Sequence, residues 1–174
     1  MLSMPPPLRA GVATTAIPAC APTAGPTGLK RAATPASEMA TVRKDIITKA
    51  QPEDVWDAIR DVGALHTRLV PGFVTHTRLE GGARVVTFAS GMTVREPIVT
   101  LDEAARRLVW TIEGQHTTHY NGAVQVHAEP DGARVEWTVD FLPDQTRARI
   151  QAAMDAGCRA MEAALDRLAH ASDE

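Results

Sequence analysis

The stretch THYNGAVQVHAEPDGARVEWTVDF, residues 118–141, decides the fold because apolar and polar residues alternate on both sides of a central turn. Successive side chains of a β-strand point to opposite faces of a sheet, so this alternation predicts two strands with one buried face each. Glu129-Pro130-Asp131-Gly132 supplies turn-forming residues between them. An antiparallel hairpin about this turn opposes Tyr120 with Phe141, Val124 with Trp137 and Val126 with Val135.

The same alternation extends outward from this hairpin. Six runs of alternating character joined by short turns span 73–80, 83–89, 92–101, 107–113, 116–128 and 133–141. A further strand, TVRKDIITKA (41–50), precedes PEDVWDAIR (52–60), which has proline at a helix start and acids in its first turn. A second short helix is predicted through GALHTRLV (63–70).

The C-terminal segment predicts one long amphipathic helix. Apolar residues recur at helical spacing on one face, at Ile150, Met154, Gly157, Cys158, Met161, Leu165 and Leu168. The sequence therefore predicts an α+β protein, with a curved antiparallel sheet of six or seven strands wrapped round this helix. Because only 4% of the residues are aromatic, one helix does not fill the concave sheet, and a cavity is expected.

Polar residues interrupt the predicted inner face of the sheet. Short turns at 81–82, 90–92 and 113–115 oppose Thr75 with Phe88, Val86 with Glu96 and Trp110 with Thr118. In this register Glu96 and His116 fall in one row, two strands and about 10 Å apart. Both are candidates for anchoring a ligand or for moving a proton. The other polar residues on this face are Thr75, Thr77, Thr118 and Tyr120.

Ordinary structural roles stand beside these functional ones. Glu96 is alternatively a carboxylate bonded to a threonine or a buried water, or one turned outward by a β-bulge. His116 is alternatively a solvated residue next to a turn, and Tyr120 a core tyrosine. No histidines or cysteines have metal-ligand spacing, so neither a metal nor another cofactor is predicted.

Composition restricts the cellular compartments and the classes of partner that are expected for this chain. The formal net charge is −3 and basic residues are not clustered, which argues against nucleic-acid or anionic-membrane partners. No apolar run approaches the ~20 residues that a membrane span requires. Two cysteines give no disulfide framework, so the cytoplasm is the expected location. Residues 1–38 hold seven of the twelve prolines and predict a disordered Pro/Ala/Thr-rich tail before a domain at 39–174.

Three motifs carry a resemblance to a known superfamily. They are AQPEDVWDAIRDV (50–62), VREPIVTLDEAARRLVW (94–110) and the opening stretch. Over residues 41–169 the chain resembles the START/pollen-allergen-like (SRPBCC) superfamily, most nearly its polyketide cyclase/dehydrase and lipid-transport branch. The resemblance implies a helix-grip fold with a hydrophobic ligand cavity. In the abscisic-acid receptors of that superfamily, ligand contacts fall at the positions of Glu96, His116 and Tyr120.

Two departures limit what the resemblance implies. The receptors carry a proline-containing gate where this chain has ASGMTV (89–94), and a basic residue where it has Thr117. Hormone sensing is therefore not implied, and the superfamily has no shared catalytic residues.

Three functions follow as hypotheses. The first is binding or transport of a hydrophobic, lipid- or polyketide-like small molecule by a monomer or homodimer. The second is a polyketide cyclase or dehydratase in which Glu96 or His116 transfers a proton, and the third is a protein-interaction module. The predicted ligand-binding residues are Glu96, His116, Tyr120, Trp110, Phe88, Val94, Thr118, Trp137, Met154 and Met161.

Overall fold

A computed structural model describes residues 39–114 and 117–171. Its strands are β1 (Ala40–Thr48), β2 (Val74–Glu80), β3 (Ala83–Phe88), β4 (Thr93–Asp102), β5 (Arg107–Trp110), β6 (His119–Glu129) and β7 (Gly132–Leu142). Two α-helices, α1 (Pro52–Arg60) and α2 (Arg147–Ala171), are accompanied by a π-helical turn at Leu65–Leu69 and a 3-10 turn at Asp144–Thr146.

The strands form one curved antiparallel sheet in the order β1-β7-β6-β5-β4-β3-β2. The long helix α2 closes over its concave face, with Met154, Met161 and Leu165 buried. The predicted helix-grip architecture, including two short helical segments after the first strand, is confirmed. No helix within 39–114 or 117–171 has the length and apolarity that crossing a membrane requires.

The central hairpin has the register that its sequence predicts. Tyr120 pairs with Phe141, Val124 with Trp137 and Val126 with Val135. Burial alternates along β7, and Val135, Val139 and Phe141 are fully buried. The apolar face of this hairpin therefore forms part of the hydrophobic core.

Two other registers differ from the predicted ones. Val86 pairs with Val94, and Arg84 rather than Val86 pairs with Glu96. The prediction was wrong by two residues because the turn is centred one residue earlier: the N–H of Phe88 donates to the carbonyl oxygen of Met92, so residues 89–91 and not 90–92 connect the strands. An even shift leaves every side chain on its predicted face, so Glu96 still points inward.

The pairing of β5 with β6 is shifted by four residues. Trp110 pairs with Gly122 instead of Thr118. The strand β5 ends at Trp110 and β6 starts only at His119, so the connection is longer than the predicted three-residue turn. Gly122 fits the place opposite the indole, since a Cβ there would lie 2.6 Å from Cε2 of Trp110.

A β-bulge between Val74 and His76 corrects one further expectation. Val74 pairs with Phe88, which had been assigned to Thr75. The bulge turns Thr75 outward, where it is exposed and its hydroxyl donates to the carbonyl oxygen of Thr87. Thr77 keeps its inward direction and is buried.

Candidate functional site

A cavity of about 300 Å³ lies between the concave face of the sheet and α2. We refer to it as the sheet–helix cavity. Its wall is mostly apolar, and the π-helical turn contributes to it as well as the sheet and α2. The apolar lining comprises Leu65, Leu69, Val70, Phe73, Val74, Val86, Phe88, Val94, Leu108, Trp110, Ile112, Val124, Trp137, Ile150, Met154 and Met161.

The cavity opens toward solvent between the β3–β4 connection and the first turns of α2. Ser90 and Met92 on one side and Arg149 and Ala153 on the other line it and are exposed. A guanidinium nitrogen of Arg149, Nη2, lies 3.6 Å from Sδ of Met92 across this opening. Access for a guest molecule is therefore located at the N-terminal end of α2.

A buried ion pair forms the polar part of the cavity wall. Arg84 Nε donates to Glu96 Oε2 at 2.7 Å, and the two side chains are 5% and 6% exposed. Adjacent antiparallel strands bring them together, because Arg84 and Glu96 are direct cross-strand partners. The Arg84 guanidinium also lies 5.0 Å from the centroid of the Trp110 ring, a cation–π contact that helps to hold it in place.

Sequence reasoning identified Glu96 but missed Arg84. The available signal was parity: Arg84 is two residues from Val86 and four from Phe88, so it shares their inward face. An arginine at such a position indicates a buried acidic partner, and Glu96 was the inward-facing acid on the neighbouring strand.

Tyr120 is the third polar group in the wall. Burial raises the pKa of its hydroxyl far above the usual value near 10, and the negative charge of Glu96 adds to this, whereas the positive charge of Arg84 opposes it. The phenol is therefore protonated at neutral pH and presents a hydrogen-bond donor.

This shift gives a direct spectroscopic prediction, because Tyr120 is the one tyrosine of the chain. In the urea-unfolded protein the phenolate absorbance of Tyr120 is expected to appear near pH 10. In the native protein the Tyr120 hydroxyl is expected to stay protonated to a higher pH. A raised folded-state pKa stabilises the fold fully below the unfolded pKa, and this contribution is lost as the pH rises beyond it. Ionisation near pH 10 with native circular dichroism intact would contradict the burial of the hydroxyl.

Two indoles stand side by side in the cavity wall. The rings of Trp110 and Trp137 have centroids 6.4 Å apart and are tilted by 46°. Their Nε1 atoms are buried, and neither donates a hydrogen bond to another group in the described part of the chain. Buried donors normally have partners, so these two shielded N–H groups are exceptions in the cavity wall.

Most of the predicted ligand-binding residues border the cavity. Those that do are Glu96, Tyr120, Trp110, Phe88, Val94, Trp137, Met154 and Met161. Thr118 does not line it: the residue is exposed, and its backbone N–H donates to the carbonyl oxygen of Leu142. His116 lies outside the described residues, so its predicted row with Glu96 stays a prediction.

Metal ligation finds no support in the described ranges. Among residues 39–114 and 117–171, no three His, Cys, Asp or Glu side chains are grouped closely enough to hold an ion. The polar chemistry of the cavity wall described above is that of Arg84, Glu96, Tyr120 and the two indoles.

Comparison with known proteins accords with this architecture. Residues 39–173 match the family described as polyketide cyclase / dehydrase and lipid transport. The chain belongs to this family. Its fold is that of the START-like SRPBCC superfamily, which supports hydrophobic ligand binding. No match was found among curated proteins.

Solved structures similar to this family member come from bacteria and plants. A Thermobifida fusca protein solved by solution NMR is 27% identical, with a TM-score of 0.61 over 74% of this chain and 90% of that one. An uncharacterised Bacillus thuringiensis protein is 21% identical, with a TM-score of 0.62 over 74% and 98%. Thalictrum flavum norcoclaurine synthase, a point mutant in complex with a transition-state analogue, is 18% identical, with a TM-score of 0.63 over 79% and 98%.

Proposed function

We propose that this member of the family binds a hydrophobic, lipid- or polyketide-like small molecule in the sheet–helix cavity. The observation that carries the proposal is a cavity of about 300 Å³ with an apolar wall that contains one buried ion pair, Arg84 with Glu96. Ligand pockets typically combine an apolar lining with a few placed polar groups in this way. Burial of apolar surface would supply affinity, and the polar groups would orient the guest.

The volume bounds the size of the guest. An engineered apolar cavity of about 150 Å³ accepts benzene, so roughly two fused rings or ~12 carbon atoms fit here. Burying about 300 Å² of apolar ligand surface contributes about 7 kcal/mol before association costs. A Kd of 1 μM corresponds to about 8 kcal/mol, so apolar burial alone gives an affinity weaker than micromolar, and hydrogen bonds from the polar groups have to add to it.

A polyketide cyclase or dehydratase is the second candidate, and one observation favours it. A carboxylate, Glu96, and a protonated phenol, Tyr120, border the same cavity. In such a site the carboxylate can accept a proton from the substrate while the phenol donates one to it. Binding remains the first candidate because Glu96 already accepts a hydrogen bond from Arg84. That bond occupies Oε2, one of the two oxygens that a substrate proton would otherwise approach.

The interaction-module hypothesis has less support. A collapsed, filled interior and an exposed apolar patch would favour it, whereas the interior of the described domain contains a cavity. A cytoplasmic location, the absence of nucleic-acid partners and a monomeric or homodimeric state stay predictions from the sequence.

A pair of neighbouring alanines on α2 tests the binding proposal. Ala153 lines the mouth of the cavity, whereas Ala152 is exposed and does not line it. The substitution Ala153→Trp is expected to weaken binding of 2-ethylnaphthalene at least tenfold by calorimetry, because the indole occupies the entrance. Ala152→Trp adds the same apolar surface to the same helix and is expected to leave the affinity within twofold.

Two outcomes would contradict the proposal. One is no detectable binding of any bicyclic probe by the unmodified protein, with native mass spectrometry also showing no co-purifying lipophile. The other is equal weakening by both tryptophans, which would place the probe on the surface of the helix.

A further inference from the structure

The two buried charged side chains in the wall of the sheet–helix cavity have opposite charges that neutralise each other. Arg84 and Glu96 are each about nineteen-twentieths buried and are bonded to one another. The other cation that lines the cavity within the described residues is Arg149, which is exposed at the mouth. Its attraction for an anion is weakened by water and salt, so the interior offers no uncompensated positive charge.

A neutral interior disfavours an anionic guest. A bound carboxylate would place a second negative charge next to Glu96, with the single buried guanidinium to share between them. Removing that charge from water is costly unless a partner neutralises it. For a fatty acid or other free acid, this desolvation cost would therefore offset much of the binding free energy that burial of its apolar part contributes.

The same wall contains an accessible hydrogen-bond donor. Tyr120 lines the cavity, and its hydroxyl stays protonated at neutral pH. The indole Nε1 atoms of Trp110 and Trp137 also lack partners in the described part of the chain, but they are shielded from the cavity space as well as from bulk solvent. A hydroxyl donor in an apolar wall suits a guest that carries a neutral carbonyl oxygen, since the bond satisfies both groups away from water.

We propose that the cavity selects neutral carbonyl compounds of about bicyclic size, such as aryl ketones or quinones, and rejects the corresponding carboxylic acids. This selectivity rests on the proposed function, because it assumes that the cavity is the binding site. It is set by the Arg84–Glu96 pair: the carboxylate cancels the charge that would otherwise attract an acid.

Three probes of matched shape test the selectivity by calorimetry at pH 7. 2-Ethylnaphthalene has no acceptor, 2-acetylnaphthalene has a neutral carbonyl, and 2-naphthoic acid is ionised because carboxylic acids titrate near pH ~4. The ketone is expected to bind at least tenfold more tightly than the acid. Equal or tighter binding of the acid would overturn the inference, while binding of the ethyl compound alone would uphold the cavity as the site and overturn the role of the hydroxyl donor.

A charge-removing substitution tests the cause. Glu96→Gln keeps the shape and an oxygen that can accept from Arg84 Nε, but it leaves the buried guanidinium uncompensated. The ratio of the naphthoate affinity to the ketone affinity is expected to rise at least tenfold. Glu113→Gln is the matched control: Glu113 also binds an arginine, Arg95, at 2.7 Å, but that pair is exposed.

The control is expected to leave both affinities unchanged. No gain of acid binding in a folded Glu96→Gln protein would overturn the assigned role of the carboxylate. If that variant does not fold, the comparison of ketone with acid in the unmodified protein still decides the inference. If none of the three probes binds, the proposed function itself fails, and this outcome differs from a wrong order among bound probes.

Discussion

Replacing Arg84 with methionine is expected to lower the free energy of unfolding by about 3 kcal/mol. The substitution leaves the Glu96 carboxylate buried without its cation, and breaking a buried ion pair from one side costs about 3–5 kcal/mol. The lower end applies because the adjoining cavity can admit water to the carboxylate. Urea unfolding at pH 7, followed by circular dichroism, measures the effect.

A neighbouring ion pair provides the control for this prediction. Arg95 Nη1 lies 2.7 Å from Glu113 Oε1, a separation equal to that of the buried pair, but the side chains are 35% and 54% exposed. Arg95→Met is therefore expected to cost less than about 1 kcal/mol. Similar small losses in both variants would show that the Arg84–Glu96 pair is not shielded from solvent.

The double variant separates the pair from its parts. Arg84→Met combined with Glu96→Met replaces both charges with apolar side chains, and such replacements are often neutral or stabilising. The double variant is expected to be more stable than either single one, with a coupling energy of at least about 1 kcal/mol. Additive losses would mean that each side chain acts through other contacts.

Replacing Gly122 with alanine is expected to destabilise the protein by about 1–3 kcal/mol and to weaken ligand binding. A Cβ at this position would lie 2.6 Å from Cε2 and 2.7 Å from Cζ2 of Trp110, so the indole has to move away from the sheet. Overpacking of this kind costs about 1–3 kcal/mol. The displaced ring enters the cavity, and 2-ethylnaphthalene affinity is expected to fall at least fivefold.

A smaller ring at residue 110 tests whether the clash is the cause. In a Trp110→Phe background the phenyl ring leaves room above residue 122, and Gly122→Ala is expected to cost less than about 1 kcal/mol. The two effects on stability are then non-additive, as expected for residues in contact. An equal loss in both backgrounds would assign the role of Gly122 to the backbone instead of to Trp110.

Face assignment could be predicted from the sequence where no β-bulge intervenes, because it then depends on parity; Thr75, turned outward by the bulge in β2, is the exception. Glu96 and Tyr120 point inward as their alternation predicts, and both border the cavity. The partner of Glu96 across the sheet could not be predicted, because turn position and length set the register: the β3–β4 turn is centred one residue earlier than predicted, and the β5–β6 connection is longer. Shifts of two and four residues keep the face but change the partner.

Arg84 shows what this distinction means for the site. Its inward parity was present in the sequence, yet its partnership with Glu96 exists only because Arg84 and Glu96 are paired across β3 and β4. The predicted row had placed Val86 beside the glutamate, and in that register the cavity would have held an unpaired carboxylate. The charge balance of the interior therefore follows from the register.

The sequence by itself determined the order of strands and helices, the apolar stripe of α2 and the inward face of the strands outside the β2 bulge, because these features depend on residues close together in the chain. Only the tertiary structure decided that the interior contains a cavity of about 300 Å³ and that its carboxylate is paired with Arg84. Volume and pairing depend on how distant segments pack. Local alternation sets which way a side chain points, and packing in three dimensions sets what it meets there.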